Sequence, residues 1–325
     1  MHLGRIRFIS VRILITGGFG FIGGRLAKFL DFQHHEIFLA SRSESSAPEW
    51  LPSAQVSKVD WSDQESLALA CSNIDVVIHC AGMNSMECEK DPIGALNFGR
   101  DSTAELIDIA ARVGVTQFIY LSTAHVYASP LAGEISESHA TENSHPYAQY
   151  HLAGEGALNA AIKKGVINGT SLRLSNTYGA PVQKDVNCWS LLVNDLCKQA
   201  SQNKEIVLSS SGTQERDFIT MSDLCRVIIH LLLKFPSGKY PNVMNVGSGT
   251  SMSVLAMAKL VQDRCSEVLG FLPEVRKVSG IEAKESPSLK YISNFSNLYA
   301  REIQNDMYSE IDDLLSFCAE SFRRI

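Results

Sequence analysis

The chain has 325 residues and a formal net charge of −6 at pH 7, enough for one large domain with an appended lobe and a sizeable core. The acidic balance argues against nucleic acid or an anionic membrane as main partner, although a local basic patch would still hold an anionic ligand. No window approaches the roughly 18 continuous apolar residues of a membrane span. The eight cysteines contain no C-x-x-C pair, and the nine histidines show no metal-ligand spacing. The expectation is a cytoplasmic chain with free thiols and no metal site.

Met1 to Val11 is mildly basic and lacks the apolar stretch and cleavage site of a signal peptide. Residues 1–11 read as an N-terminal extension. Arg12–Thr16 then has strand character and Phe21 to Leu30 a helical pattern, joined by Gly17-Gly18-Phe19-Gly20-Phe21-Ile22-Gly23. A glycine-rich turn leading from a strand into a helix suits a dinucleotide. Gly17 or Gly18 permits the tight turn, Gly20 lets backbone approach a pyrophosphate, and Gly23 lets the helix pack on the strand. The helix N-terminus at Phe21 and Ile22 offers free N–H groups to the phosphates.

Strands at Glu36–Ala40, Asp75–Cys80, Gln117–Leu121 and Thr170–Leu174 alternate with helices at Gln64–Cys71, Ile93–Val113 and Tyr147–Lys164. The strands are apolar throughout, the mark of parallel strands covered on both faces. This predicts an α/β, Rossmann-type doubly wound sheet. After Tyr178 to Pro181 the rhythm breaks. A helix (Trp189–Ala200), a strand (Ile206–Ser209), the Glu215–Ile219 segment, a helix (Ser222–Lys234), a strand (Val243–Val246) and a helix from Ser253 follow, with Leu272–Pro287 broken by Pro and Ser. Residues 12–180 plus about 206–250 read as the dinucleotide-binding domain. Residues 181–205 and 251–325 read as a smaller, interleaved C-terminal substrate lobe.

The second strand ends in Ala40-Ser41-Arg42, where a carboxylate would hold the adenine ribose 2′-hydroxyl of NAD. An arginine with no carboxylate accommodates a 2′-phosphate, so NADP stands beside NAD; the alternative is a solvated Arg42.

Three further segments join the glycine turn: Leu121-Ser122-Thr123-Ala124-His125-Val126-Tyr127, Pro146-Tyr147-Ala148-Gln149-Tyr150-His151 through Glu155, and Gln214-Glu215-Arg216-Asp217-Phe218-Ile219. From Arg12 to about Ser293 the chain resembles the extended short-chain dehydrogenase/reductase family, within it the nucleotide-sugar epimerases and dehydratases. The resemblance implies Thr123 and Tyr147 as catalytic residues and His151 at the position of the family lysine, where it would touch the nicotinamide ribose. It implies Asp60-Trp61 beside the adenine, Cys80-Ala81-Gly82 along the cofactor and Asn97 supporting the site. Thr123, His125, Asn176 and Arg216 become substrate contacts, with the arginine on the diphosphate, a task for which a planar guanidinium is well shaped. Asn245-Val246-Gly247 resembles a structural turn of the family. Read without the family, Thr123 would cap its own strand and Arg216 would form an ion pair.

The His151 departure matters because a tyrosine needs a nearby cation to act as a base near neutrality, and histidine is mostly uncharged at pH 7. Ala124 and His125 stand where the family's 4,6-dehydratases place Asp-Glu, which excludes that elimination. The expected function is therefore NAD(P)-dependent epimerisation of a nucleotide-diphosphate-sugar through a keto-sugar. The alternative is an NADPH-dependent 4-ketoreductase. A second alternative is a non-catalytic dinucleotide-binding relative. Small and apolar residues on the helices Ile93–Val113 (Leu96, Ala104, Ala111) and Tyr147–Lys164 (Ala153, Gly156, Ala157, Ala160) suggest a homodimer built on those helices.

Overall fold

A computed structural model describes residues 10–43, 46–234, 240–278 and 287–323. Most of the N-terminal extension and half of Leu272–Pro287 lie outside the described residues. The elements run β1 (Arg12–Thr16), α1 (Phe21–Phe32), β2 (Glu36–Ser41), β3 (Gln55–Lys58), α2 (Gln64–Cys71), β4 (Val76–His79), α3 (Ser85–Lys90), α4 (Pro92–Asn97), α5 (Thr103–Arg112), β5 (Gln117–Thr123), β6 (Gly133–Ile135), α6 (Pro146–Lys163), β7 (Asn168–Leu174) and β8 (Asn176–Tyr178). They continue with α7 (Leu192–Asn203), β9 (Glu205–Leu208), β10 (Glu215–Thr220), α8 (Met221–Lys234), β11 (Val243–Val246), β12 (Ser251–Ser253), α9 (Val254–Leu269), β13 (Glu274–Lys277), β14 (Leu289–Tyr291) and α10 (Met307–Ser321).

Seven strands form one sheet in the order β11-β7-β5-β4-β1-β2-β3, every neighbouring pair parallel. The strand order reverses between β1 and β4, so their carboxyl ends open the crevice in which such sheets bind ligands. Ile13, Ile15, Val76 and Ile78 face one apolar core, and Leu14, Val77, Phe118 and Tyr120 face another on the opposite side. Burial on both faces explains why these strands read as unbroken apolar runs.

A third core belongs to the C-terminal helices, where Leu196, Met257, Val261, Ile311 and Leu314 pack together. Within residues 206–250, α8 packs on α1 and β11 edges the large sheet, whereas β9 pairs with β13 and β10 with β8 and β12.

The single helix expected at Ile93–Val113 is interrupted: Phe98–Ser102 forms a π turn between α4 and α5. Gly99 sits in it, where a Cβ would overlap the Tyr150 carbonyl oxygen. The wider turn lets the backbone lie against α6. Helix α7 starts at Leu192 rather than Trp189 because the backbone at Leu191 is extended (φ −70°, ψ 135°); the Trp189 indole donates to the Lys184 carbonyl at 2.9 Å. No described helix is long and apolar enough to cross a membrane.

Candidate active site

The β1–α1 turn is built for close backbone approach. Gly17 adopts φ +66°, and a Cβ there would lie 2.8 Å from the Ala81 nitrogen. Gly17, not Gly18, is therefore the residue that makes the tight turn. A Cβ on Gly23 would overlap the Gly17 carbonyl oxygen, so its role is packing of helix on strand. Gly20 is the N-cap of α1 and supplies no side-chain hydrogen bond, and the first turn holds no acid. Side chains cap α2, α3, α4, α9 and α10. At α1 the N–H groups of Phe21 and Ile22 are instead left for a ligand.

A groove of about 550 Å³ opens from this turn. Gly17, Gly20, Ser41 and Arg42 line one part of it; Trp61, Cys80, Ala81 and Gly82 line another. Tyr150, which the sequence reading missed, lies against Gly82 and donates from its hydroxyl to the Ala81 carbonyl at 3.4 Å. Arg42 is exposed and makes no ion pair among the described residues. The wall carboxylate Glu87 is held in a capping box with Asn84, with bonds of 2.8 and 3.0 Å. The Asp60 carboxylate is not on the wall. It accepts from the Ser62 hydroxyl and nitrogen at 2.7 and 2.9 Å, and these bonds hold its pKa below the ordinary carboxylate value. Asn97 is exposed and accepts from Arg100. Glycines that exclude side chains, an uncapped helix start and a long groove together fit a dinucleotide.

Beyond the groove, Thr123 ends β5 and Tyr147 lies in the first turn of α6. Both line a cavity of about 160 Å³ with Phe21, Ile22, His125 and Asn176. The cofactor turn and the predicted substrate residues therefore share a wall. Burial pushes the Tyr147 hydroxyl up to about 12, and a hydrogen bond with Thr123 offsets this only in part. Thr123 also accepts from the His125 nitrogen at 3.2 Å. His145 was not foreseen: its ring caps the Tyr147 nitrogen at 3.2 Å and meets Glu89 at 2.9 Å. A His-Pro start to a helix is an unusual cap signal, as Ser, Thr, Asp and Asn are the common ones.

His151 lies on neither cavity wall. Its Nδ1 is 3.3 Å from the Tyr120 hydroxyl, and burial, followed by the fields of His125 and His79, pushes its pKa down to about 3. It is neutral through the physiological range. The acid on the next turn, Glu155, is committed elsewhere. It accepts from Arg173 Nε and Nη2 at 2.9 and 2.6 Å and from Ser122 at 2.6 Å. Arg173 Nη1 donates to the Tyr127 hydroxyl, which donates to Asn245 Oδ1. This buried network fastens α6, β5, β7 and β11, and Asn245 adds a bond to the Ile292 carbonyl.

Arg216 on β10 donates to Gln214 at 3.1 Å and makes no ion pair among the described residues. Burial lowers its pKa, and its charge is near enough to help depress that of His125, where burial is the larger cause. Asn176 donates to the Asp217 carbonyl at 2.9 Å, tying the cavity wall to the strand that carries Arg216. A partly desolvated guanidinium without a carboxylate suits an anion.

The model of the NAD dependent epimerase/dehydratase family matches residues 13–247. The chain belongs to that family. A nicotinamide dinucleotide is accordingly its cofactor. It is similar to a dTDP-4-dehydro-6-deoxy-D-allose reductase from Streptomyces bikiniensis, 26% identical and covering 78% of this chain and 81% of the relative. It is also similar to a UDP-glucose 4-epimerase from Corynebacterium glutamicum, 25% identical over 80% of this chain and 81% of the relative. Its fold matches that of a UDP-glucose-4-epimerase from Stenotrophomonas maltophila with bound NAD, with TM-score 0.81 and 20% identity over 97% of this chain and 99% of that one.

Proposed function

We propose that this family member reduces a keto-sugar carried on a nucleoside diphosphate. The carrying observation is the Tyr147 hydroxyl, pushed up to about 12 beside a neutral His151. Held in its protonated form, the tyrosine is present as a proton donor near neutral pH, whereas the phenolate that oxidation of an alcohol needs as base is scarce. Reduction asks only for the first: Tyr147 donates to the carbonyl oxygen, with Thr123 hydrogen-bonded to the same oxygen. The dinucleotide, when bound, supplies the redox exchange at the sugar carbon. Asn176 and Arg216 hold the diphosphate, and Phe21 and Ile22 shield the smaller cavity from water. Arg42 on the groove wall supports use of NADPH, with NAD as the alternative.

Epimerisation is the second reading. It is favoured by the intact Thr123–Tyr147 pair, which serves either direction, but it requires Tyr147 to act as base in the oxidative half. A non-catalytic role is disfavoured by Arg216, because a dinucleotide scaffold has no use for a desolvated unpaired guanidinium. Exposed Ile93 and Leu96 on α4 support the reading of a homodimer through the α4–α5 and α6 faces.

The test uses purified protein with UDP-, GDP-, dTDP- and CDP-sugars, with and without a 4-keto group, following nicotinamide absorbance and sugar products. The reductase reading expects NADPH consumed mole for mole with a keto-sugar. Products formed with cofactor retained would establish epimerisation, and no turnover with any of them would leave the non-catalytic reading.

A further inference from the structure

The cavity that holds Thr123 and Tyr147 continues into a second chamber of about 340 Å³; His125, Tyr147 and Leu191 line both. The second chamber is bounded further by Asn84, Ser85, Ser129, Asn143, Asn187 and Ser190. Apart from the histidines, no described side chain on either wall is ionisable as a cation, and none is a carboxylate. His125 is kept neutral by burial, then by Arg216 and His145. His145 meets Glu89 at 2.9 Å, and Ser85 donates to the same carboxylate at 3.4 Å. Beside this chamber, Glu89 is therefore either a negative charge or one half of a neutral pair with His145.

The polar groups left over are neutral. The Asn84 side-chain oxygen is used in capping α3, but its amide nitrogen forms no hydrogen bond among the described residues. The exposed Asn187 amide and Ser190 hydroxyl likewise form none there. Amides and hydroxyls of this kind match the alternating donors and acceptors of sugar hydroxyls. A carboxylate placed among them would gain no cation, an outcome that the Glu89 field worsens.

We infer that the sugar unit this site accepts is uncharged, so that neutral hexoses or their keto forms enter and the corresponding uronates are refused. This rests on the nucleotide-sugar reading above and adds its specificity. Selection comes from the lack of a cation in the chamber, while the charge that Arg216 supplies belongs to the diphosphate end.

The experiment is calorimetric titration of the NADP-loaded protein. UDP, GDP, dTDP and CDP are titrated first, followed for each nucleotide that binds by its hexose and the uronate differing only at C6. The expected result is uronate affinity weaker by at least about tenfold, the cost of one uncompensated charge. In Asn187→Arg and, separately, Ser190→Lys, both exposed positions, the gap narrows by about tenfold as a cation reaches the chamber. Equal or tighter uronate binding in the wild type, or an unchanged gap in both variants, overturns the inference while the nucleotide-sugar reading stands. Absence of binding by every nucleoside diphosphate and sugar conjugate would instead overturn that underlying reading.

Discussion

The rings of Tyr147 and His151 meet edge to face, with centroids 4.6 Å apart and planes at 86°. One helical turn along α6, the residue that should support a phenolate is a buried imidazole with a pKa near 3. It fills space against Tyr147 without lending it charge. Replacing it by a permanent cation should ease loss of the tyrosine proton. In His151→Lys the pH at which alcohol oxidation rises is expected to fall by about 1–2 units, read from a pH–rate profile. An unchanged profile would show that this position does not tune Tyr147.

Tyr147 is assigned as proton donor rather than as a binding group. Tyr147→Phe should lower kcat for ketone reduction by about 10²–10⁴-fold, while the dinucleotide affinity, measured by quenching of Trp61 fluorescence, changes little. A kcat within a few-fold of wild type would remove Tyr147 from the chemistry.

Glu155 and Arg173 form a buried pair with side chains 6% and 8% exposed. Removing one partner leaves the other charge uncompensated, so Glu155→Gln should cost about 3–5 kcal/mol in urea unfolding. The double substitution Glu155→Leu, Arg173→Met should recover much of that. A single-variant loss below about 1 kcal/mol would contradict the network's structural role.

Burial pushes both His79 and His151 down to about 3 from the ordinary value of 6.5. Between those values the unfolded chain takes up protons that the folded chain excludes. Their contribution to stability is therefore complete above about pH 6.5 and is lost as pH falls towards 3. The unfolding free energy from urea titration should drop from pH 7 to pH 4.5, on the order of 1 kcal/mol per pH unit for each histidine. In His79→Gln the slope, normalised to the variant's own value at pH 7, should be shallower; an equal slope would place the acid sensitivity elsewhere.

Much of the architecture was legible because its causes are local. Parallel strands buried on two faces leave apolar runs such as Val76 to Ile78, and a turn needing φ +66° at Gly17 leaves a glycine. Of the groove residues, Ser41 and Arg42 followed from a strand end, whereas Trp61 and Cys80 to Gly82 came only with the family resemblance. What stayed hidden depends on tertiary neighbours. The π turn at Phe98–Ser102 inserts a residue without disturbing the helical pattern, and its reason, the Tyr150 backbone beside Gly99, comes from another helix. Asp60 was expected beside the cofactor, yet Ser62 two residues on already offered it a turn partner, a signal present in the sequence. The depth of the His151 burial is set by Tyr120 and Tyr150, so its neutrality could be foreseen only as a tendency of histidine. Glu155 matched a family position, but its pairing with Arg173 required β7 to lie beside α6.

The central claim, one-way reduction with Tyr147 as the acid, is tested most directly with NADPH deuterated at the transferred position of the nicotinamide and a 4-keto-sugar nucleotide. Mass spectrometry of the product sugar should show one deuterium per molecule, with an equal amount of NADP released to solution. A 4-keto-sugar left unreduced with the labelled cofactor still on the protein, while the matching 4-hydroxy sugar nucleotide is inverted by protein loaded with oxidised cofactor and none of that cofactor is released, would contradict it.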